Sequence, residues 1–305
     1  MKANNARASL YFCEEPHSFP ASQGFSVFED CAFLLHHTGI CCVYDMKEPN
    51  GTRLASFPLG SYNVGEPSKD YTNHANSCMF GNLHHQNNPI PLLYVTVGWG
   101  VGKDADGFFY RCAVENITHR TEGGEDFYRS TTLQTISYSP DGIEETAFES
   151  PAWGCPAFFV DTDREELYIF SARYRTKRGM LPEGETENTY IITTFDLPSL
   201  AQGNHVTLTP KDIRDQFTVR SDLLFTQGGA YRNRKIYYTF GCPPKYTNEI
   251  AVFDLEKKTL TARVSHLDEE LCMEEIESCE WYNDRLYCNT SKGSVFLLRQ
   301  DLLPQ

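Results

Sequence analysis

The chain has 305 residues, 40% of them hydrophobic and 13% aromatic, a composition that excludes disorder, collagen and coiled coil and suffices for a sizeable core. Its net charge is −14, from 27 Lys and Arg against 41 Asp and Glu, which argues against a nucleic-acid-binding face or docking on an anionic membrane. No stretch approaches the roughly 18 apolar residues of a membrane-spanning helix.

Residues 1–9 carry Lys2 and Arg7 with no apolar stretch after them, so no secretory signal is expected. Ala-Ser-Leu-Tyr-Phe at 8–12 reads as an isolated strand. From residue 25 onward the apolar runs are short, rich in Val, Ile, Tyr, Phe and Thr, and bounded by Gly, Pro, Asn and Asp. That is a strand-and-turn pattern. Helical signals are confined to 209–216, where Thr209-Pro210 reads as a cap and first-turn proline, and to 267–275.

Two elements recur along the chain. One is an apolar run ending aromatic-Asp: Ile40 to Tyr44-Asp45, Ile191 to Phe195-Asp196, and Ile250 to Phe253-Asp254. After the first and third, a turn leads to further strands at 53–57 and 260–264. The other is a strand with a tyrosine near its start, at Tyr94, Tyr168, Tyr237 and Tyr287, with 32–35 a plainer version. A polar turn and a preceding strand complete a unit of four antiparallel strands, a to d. Five units follow, with c strands near 40–46, 108–114, 190–197, 249–255 and 294–299.

Four-stranded units in tandem resemble the blades of a β-propeller. One blade cannot bury both its faces, whereas a ring of blades buries them all. The resemblance implies an all-β single domain over 1–305. Its blades fall at about 25–59, 74–138, 154–208, 225–265 and 277–300, and the spare strand at 8–12 closes the ring. The stretch 199–226 is long enough to hide the strands of a sixth blade.

In such a ring the d–a and b–c connections share a face, and here they are the long ones. The d–a stretches are 60–75, 139–154, 209–226 and 266–277; the b–c stretches are 98–107, 175–189 and 241–248. A ligand is expected there, over the axis. The candidate binding residues are His74, Asn76, Trp99, Trp153, Arg173, Arg175, Gln227, Tyr246, Glu277 and Glu280. Aromatic platforms with amide, His and Arg donors suit a polar small molecule or glycan. Each also has a plain structural reading: inter-blade packing for the tryptophans, an exposed hairpin for the arginines, solvated charge for the glutamates.

Catalytic and metal motifs are wanting. There is no Gly-x-Ser-x-Gly elbow and no CxxC, and Lys103-Asp104-Ala105-Asp106-Gly107 breaks the EF-hand spacing at Phe108. Strand geometry separates His74 from His84-His85, so no metal and no cofactor is assigned. Five-bladed glycosidases carry acids on their first inner strands, where this chain reads Gly24-Phe25-Ser26-Val27, Asn73-His74-Ala75-Asn76 and Gly154-Cys155-Pro156-Ala157. The sequence therefore favours a non-catalytic propeller binding a polar ligand. A glycoside hydrolase or lyase acting on the same face, and a scaffold for a protein partner, are the alternatives. The cysteines, mostly in apolar runs, favour a reducing, cytoplasmic setting. The sequons at Asn116 and Asn289 favour an exported mature form instead.

Overall fold

The computed structural model describes residues 6–15, 19, 21–49, 51–61, 75–98, 110–151, 156–174 and 181–303. The chain opens with β1 (Ala8–Cys13), which pairs antiparallel with the last strand of the fold. Blade 1 follows as β2 (Ser22–Phe28), β3 (Cys31–His36), β4 (Ile40–Asp45) and β5 (Arg53–Pro58). Blade 2 is β6 (Ser77–Phe80), β7 (Leu93–Val97), β8 (Arg111–Glu122) and β9 (Glu125–Tyr138). Blade 3 begins with β10 (Ala157–Asp161), β11 (Glu166–Ala172) and β12 (Asn188–Asp196).

The chain then leaves blade 3 to add β13 (His205–Leu208), parallel to β9, at the outer edge of blade 2. It returns as β14 (Ile213–Ser221) to complete blade 3. Blade 4 is β15 (Thr226–Arg232), β16 (Lys235–Cys242), β17 (Tyr246–Asp254) and β18 (Thr259–Val264). Blade 5 is β19 (Ile276–Tyr282), β20 (Arg285–Thr290) and β21 (Ser294–Leu298), completed by β1.

The fold is thus a five-bladed propeller, all-β, with the N-terminal strand in the outermost place of the last blade. The inner strands β2, β6, β10, β15 and β19 each touch the next, and β19 touches β2, which closes the ring.

Burial explains which strands announce themselves in the sequence. Middle strands are covered on both faces by neighbouring blades, so they are buried almost throughout and mostly apolar, as in β3, β7 and β11. Outermost strands alternate between buried and exposed positions, as in β18. The recurring tyrosines lie between blades: Tyr168 stacks on Tyr231 of the next inner strand at 5.5 Å, and Tyr237 meets Trp281 edge-on at 5.1 Å. Two of the three recurring aspartates cap the turn after the c strand. Asp254 Oδ1 accepts from the backbone N–H of Glu256 and Lys257, at 3.0 and 2.9 Å, and Asp45 does the same for Lys47.

Two expectations need correction. The stretch 199–226 holds no sixth blade; it supplies the extra strand β13 and the fourth strand of blade 3, so 209–226 is not a d–a loop. The candidate helices are a single 3-10 turn at Pro210–Asp212, capped by Thr209, and a run of turns at 267–275. β14 reads Ile-Arg-Asp-Gln-Phe-Thr-Val-Arg-Ser, an edge strand whose charges hide its apolar positions.

Closure depends on β1. Phe12 is buried in the seam, with its ring 5.3 Å from Tyr44 of blade 1. Phe12→Ala is expected to destabilise the fold by about 3–5 kcal/mol, as a core truncation does anywhere in the ring. Urea unfolding beside Phe253→Ala measures it. A negligible loss for Phe12→Ala alone would mean that the closing strand does not hold the ring.

Candidate functional site at the axial mouth

The inner strands enter the ring from the face that carries the d–a and b–c connections. Three of them bulge at the same place. Ser22 pairs with His36 and Phe25 with Leu34, so Gln23 and Gly24 stand against one residue. Thr226 and Gly229 frame Gln227-Gly228 in the same way, and Ile276 and Ser278 frame Glu277. A bulge re-aims side chains, and at barrel rims it commonly marks a functional position. Counting back from the strand pairing, the equivalent positions in blades 2 and 3 are Asn76 and Pro156. The mouth of the axis is therefore ringed by Gln23, Asn76, Pro156, Gln227 and Glu277.

The polar members of this ring are buried: Gln23 and Asn76 are 5% exposed, Gln227 7% and Glu277 3%. Gln23 Oε1 and Asn76 Oδ1 have no hydrogen-bond partner among the described residues. Gln227 Nε2 donates to the Gly241 carbonyl at 3.0 Å and to Glu275 at 2.6 Å. Asn289 Nδ2 donates to the Gln23 carbonyl at 2.9 Å and fixes that strand.

The floor beneath the ring is Gly24, Ser77, Ala157, Gly228 and Ser278. Small residues are required there because the strands nearly touch. A Cβ on Gly228 would lie 2.4 Å from the Asn76 carbonyl oxygen, and one on Gly24 2.7 Å from that of Ala75.

The electrostatics follow from burial. Glu277 is pushed well above the usual carboxylate range by loss of solvent and then by the charge of Glu275, against a hydrogen bond from Gln23. Cys242, beside Glu275, is pushed up to about 12 by burial and that same charge. The mouth thus offers amide oxygens that accept and a carboxyl group whose protonated form burial favours.

Of the residues predicted from sequence, Asn76, Gln227 and Glu277 come together in this ring. Glu280 does not. It lies three residues farther along β19, roughly 10 Å, beyond the floor. There Glu280 accepts from Ser26 Oγ at 2.9 Å and from the Trp281 N–H at 2.7 Å. Desolvation raises its pKa to about 7. Arg173 is on blade 3, in a bidentate ion pair with Glu149. Tyr246 stacks on Phe225 at 5.4 Å at the top of blade 4. His74, Trp99, Trp153 and Arg175 fall outside the described residues.

Sequence reasoning missed Gln23, although the dipeptide Gln23-Gly24 repeats Gln227-Gly228 in the same place of another blade. The sequon at Asn289 is no glycan acceptor in the folded chain, since Asn289 is fully buried between blades 5 and 1. The described cysteines form no disulfide. No described helix is long and apolar enough to cross a membrane.

No protein-family model matches the chain, and no curated protein matches it. Among solved structures it matches a glutaminyl cyclase of Myxococcus xanthus at 10% identity, covering 96% of this chain and 98% of that one, with a TM-score of 0.47. It also matches Sqt1 of Saccharomyces cerevisiae at 9% identity, covering 97% and 87%, with a TM-score of 0.35. The Cps50 (Swd1) β-propeller domain of Myceliophteria thermophila matches at 10% identity, covering 90% and 82%, with a TM-score of 0.36.

Glu280 gives a pH dependence with a definite sign. Its ordinary value of 4.5 rises to about 7 in the fold, so the folded chain binds more protons between those values. Stability contributed by the protonated group is complete below pH 4.5 and is lost as pH rises to 7. Wild type should therefore lose up to about 3 kcal/mol relative to Glu280→Gln across that window. Parallel denaturation curves for the two proteins would mean that Glu280 is ionised normally in the fold.

Proposed function

We propose that the protein is a non-catalytic propeller that binds a polar, donor-rich small ligand, a sugar or amino sugar, at the axial mouth of its long-loop face. The observation that carries this reading is the pair of buried acceptors, Gln23 Oε1 and Asn76 Oδ1, left without partners beside Glu277. A buried polar atom without a partner costs about 1–3 kcal/mol, so a ligand hydroxyl or ammonium that reaches it recovers that cost.

The chemistry of the ring sets the class of ligand. Amide oxygens and a carboxyl group suit hydroxyls and amines, and the nearby Glu275 with the overall charge of −14 disfavours uronic acids and nucleotides. The non-catalytic reading rests on the same inventory. The ring is mostly amides, which bind without exchanging protons. Glu275, the second carboxyl at the mouth, is engaged by Gln227. The enzyme reading draws on the raised pKa of Glu277, the direction a general acid needs.

Thermal shift and calorimetry with a panel of mono- and oligosaccharides, amino sugars, uronic acids and nucleotides test the proposal. Neutral or amino sugars are expected to stabilise the chain. Asn76→Ala and Gln23→Ala should each weaken binding about tenfold, the equivalent of one hydrogen bond. Release of a cleaved product would overturn the non-catalytic part and move the protein to the carbohydrate-active enzymes. Stabilisation by anionic compounds alone, or by nothing in the panel, would overturn the ligand assignment in favour of a scaffold.

A further inference from the structure

We propose that Glu14, His36 and Cys42 hold a zinc-class transition-metal ion that fastens the closing strand to blade 1. This site is separate from the axial ring, and the proposal does not depend on the ligand reading above.

The three residues come from three parts of the seam. Glu14 follows directly on β1, His36 ends β3, and Cys42 lies in β4. Their donor atoms lie within 4.8 Å of one another. His36 Nε2 is 3.0 Å from Glu14 Oε1, with the two side chains 0% and 2% exposed. Cys42 is fully buried. Tetrahedral zinc with bonds of about 2.0–2.3 Å separates its donors by roughly 3.3–3.8 Å. The observed spacing brackets that range, so changes of side-chain rotamer suffice to seat an ion.

The donor set selects the metal. One nitrogen, one carboxylate oxygen and one sulfur suit zinc and its neighbours, while the sulfur rules out calcium and magnesium. The charges also match. A divalent ion with one carboxylate, one thiolate and a neutral imidazole is electroneutral, as a buried cluster must be to avoid a large desolvation cost. Three protein donors leave one position of a tetrahedral shell for solvent.

The position gives the ion a purpose. The closing strand is held to the last strand by hydrogen bonds, β1 with β21 and the Glu14 N–H with the Gly293 carbonyl at 2.8 Å, and to blade 1 by the packing of Phe12 on Tyr44. A metal bridging Glu14 to β3 and β4 adds a bond between the closing strand, which belongs to blade 5, and the body of blade 1. Because the site is sealed, the ion must enter as the ring closes rather than after it.

The experiment follows from that order of events. Full-length protein is refolded with zinc or with EDTA, dialysed, and assayed for bound metal and for melting temperature. One ion per chain and a melting temperature several degrees higher with zinc are expected. Refolding with cobalt should give a near-ultraviolet thiolate-to-cobalt charge-transfer band, lost in Cys42→Ser and kept in Cys41→Ser. If Cys42→Ser does not fold, the retained ion and cobalt band of the wild type decide alone. No retained metal, or a cobalt band that survives Cys42→Ser, overturns the proposal and leaves Glu14 and His36 as a buried hydrogen-bonded pair.

Discussion

Everything in this fold depends on how closely five inner strands approach one another at the axis. The Gly24 N–H donates to the Ala75 carbonyl at 2.8 Å, a backbone hydrogen bond that runs directly from blade 1 to blade 2. Gly228 sits so near the Asn76 and Glu277 carbonyl oxygens that it has no room for a Cβ. This contact leaves a floor of Gly, Ser and Ala and puts the next position on each strand over an opening. The bulges then turn that position toward the axis. Packing at one level thus creates a ring of side chains at the next, one from each blade and polar in all but blade 3.

Much of the ring was legible in the sequence because its physics is repetitive. Tyr168 and Tyr237 each bury a ring against the next blade, and Asp45 and Asp254 each cap a turn, so both residue types recur at fixed places. The outer strands were harder to see. β14 carries Arg214, Asp215 and Arg220 toward solvent and needs only a few apolar contacts, so its composition resembles a loop. Strand β13 joins a blade other than the one whose strands flank it in the chain, and no local pattern records such an exchange.

The candidate site was legible in part, for the same reason. Asn76, Gln227 and Glu277 stood out as polar residues at the start of inner strands. Gln23 has the same place and the same following glycine as Gln227, so aligning the blades residue by residue would have found it. Glu280 shows the limit of that reading. Glu277 and Glu280 look like one acidic pair in sequence, yet the floor divides them, and each is desolvated in its own part of the axis. The Glu14, His36 and Cys42 cluster had no signal at all, because ring closure brings residue 14 beside residues 36 and 42 across a boundary that has no counterpart in local spacing.

A site built where all the blades meet has a thermodynamic consequence. The polar ring lowers stability: unpaired amide oxygens at Gln23 and Asn76 cost about 1–3 kcal/mol each. The aromatic contacts between blades, Tyr168 with Tyr231 and Tyr237 with Trp281, offset that cost. The polar ring residues come from blades 1, 2, 4 and 5, and the chain enters blade 5 from both its ends. Any ligand that contacts several of them meets its partners only in the closed ring. Binding and closure are then linked, and such a ligand stabilises the whole propeller in proportion to its affinity rather than one blade locally. A site on a single blade would not have that property, so the axial position couples recognition to the integrity of the fold.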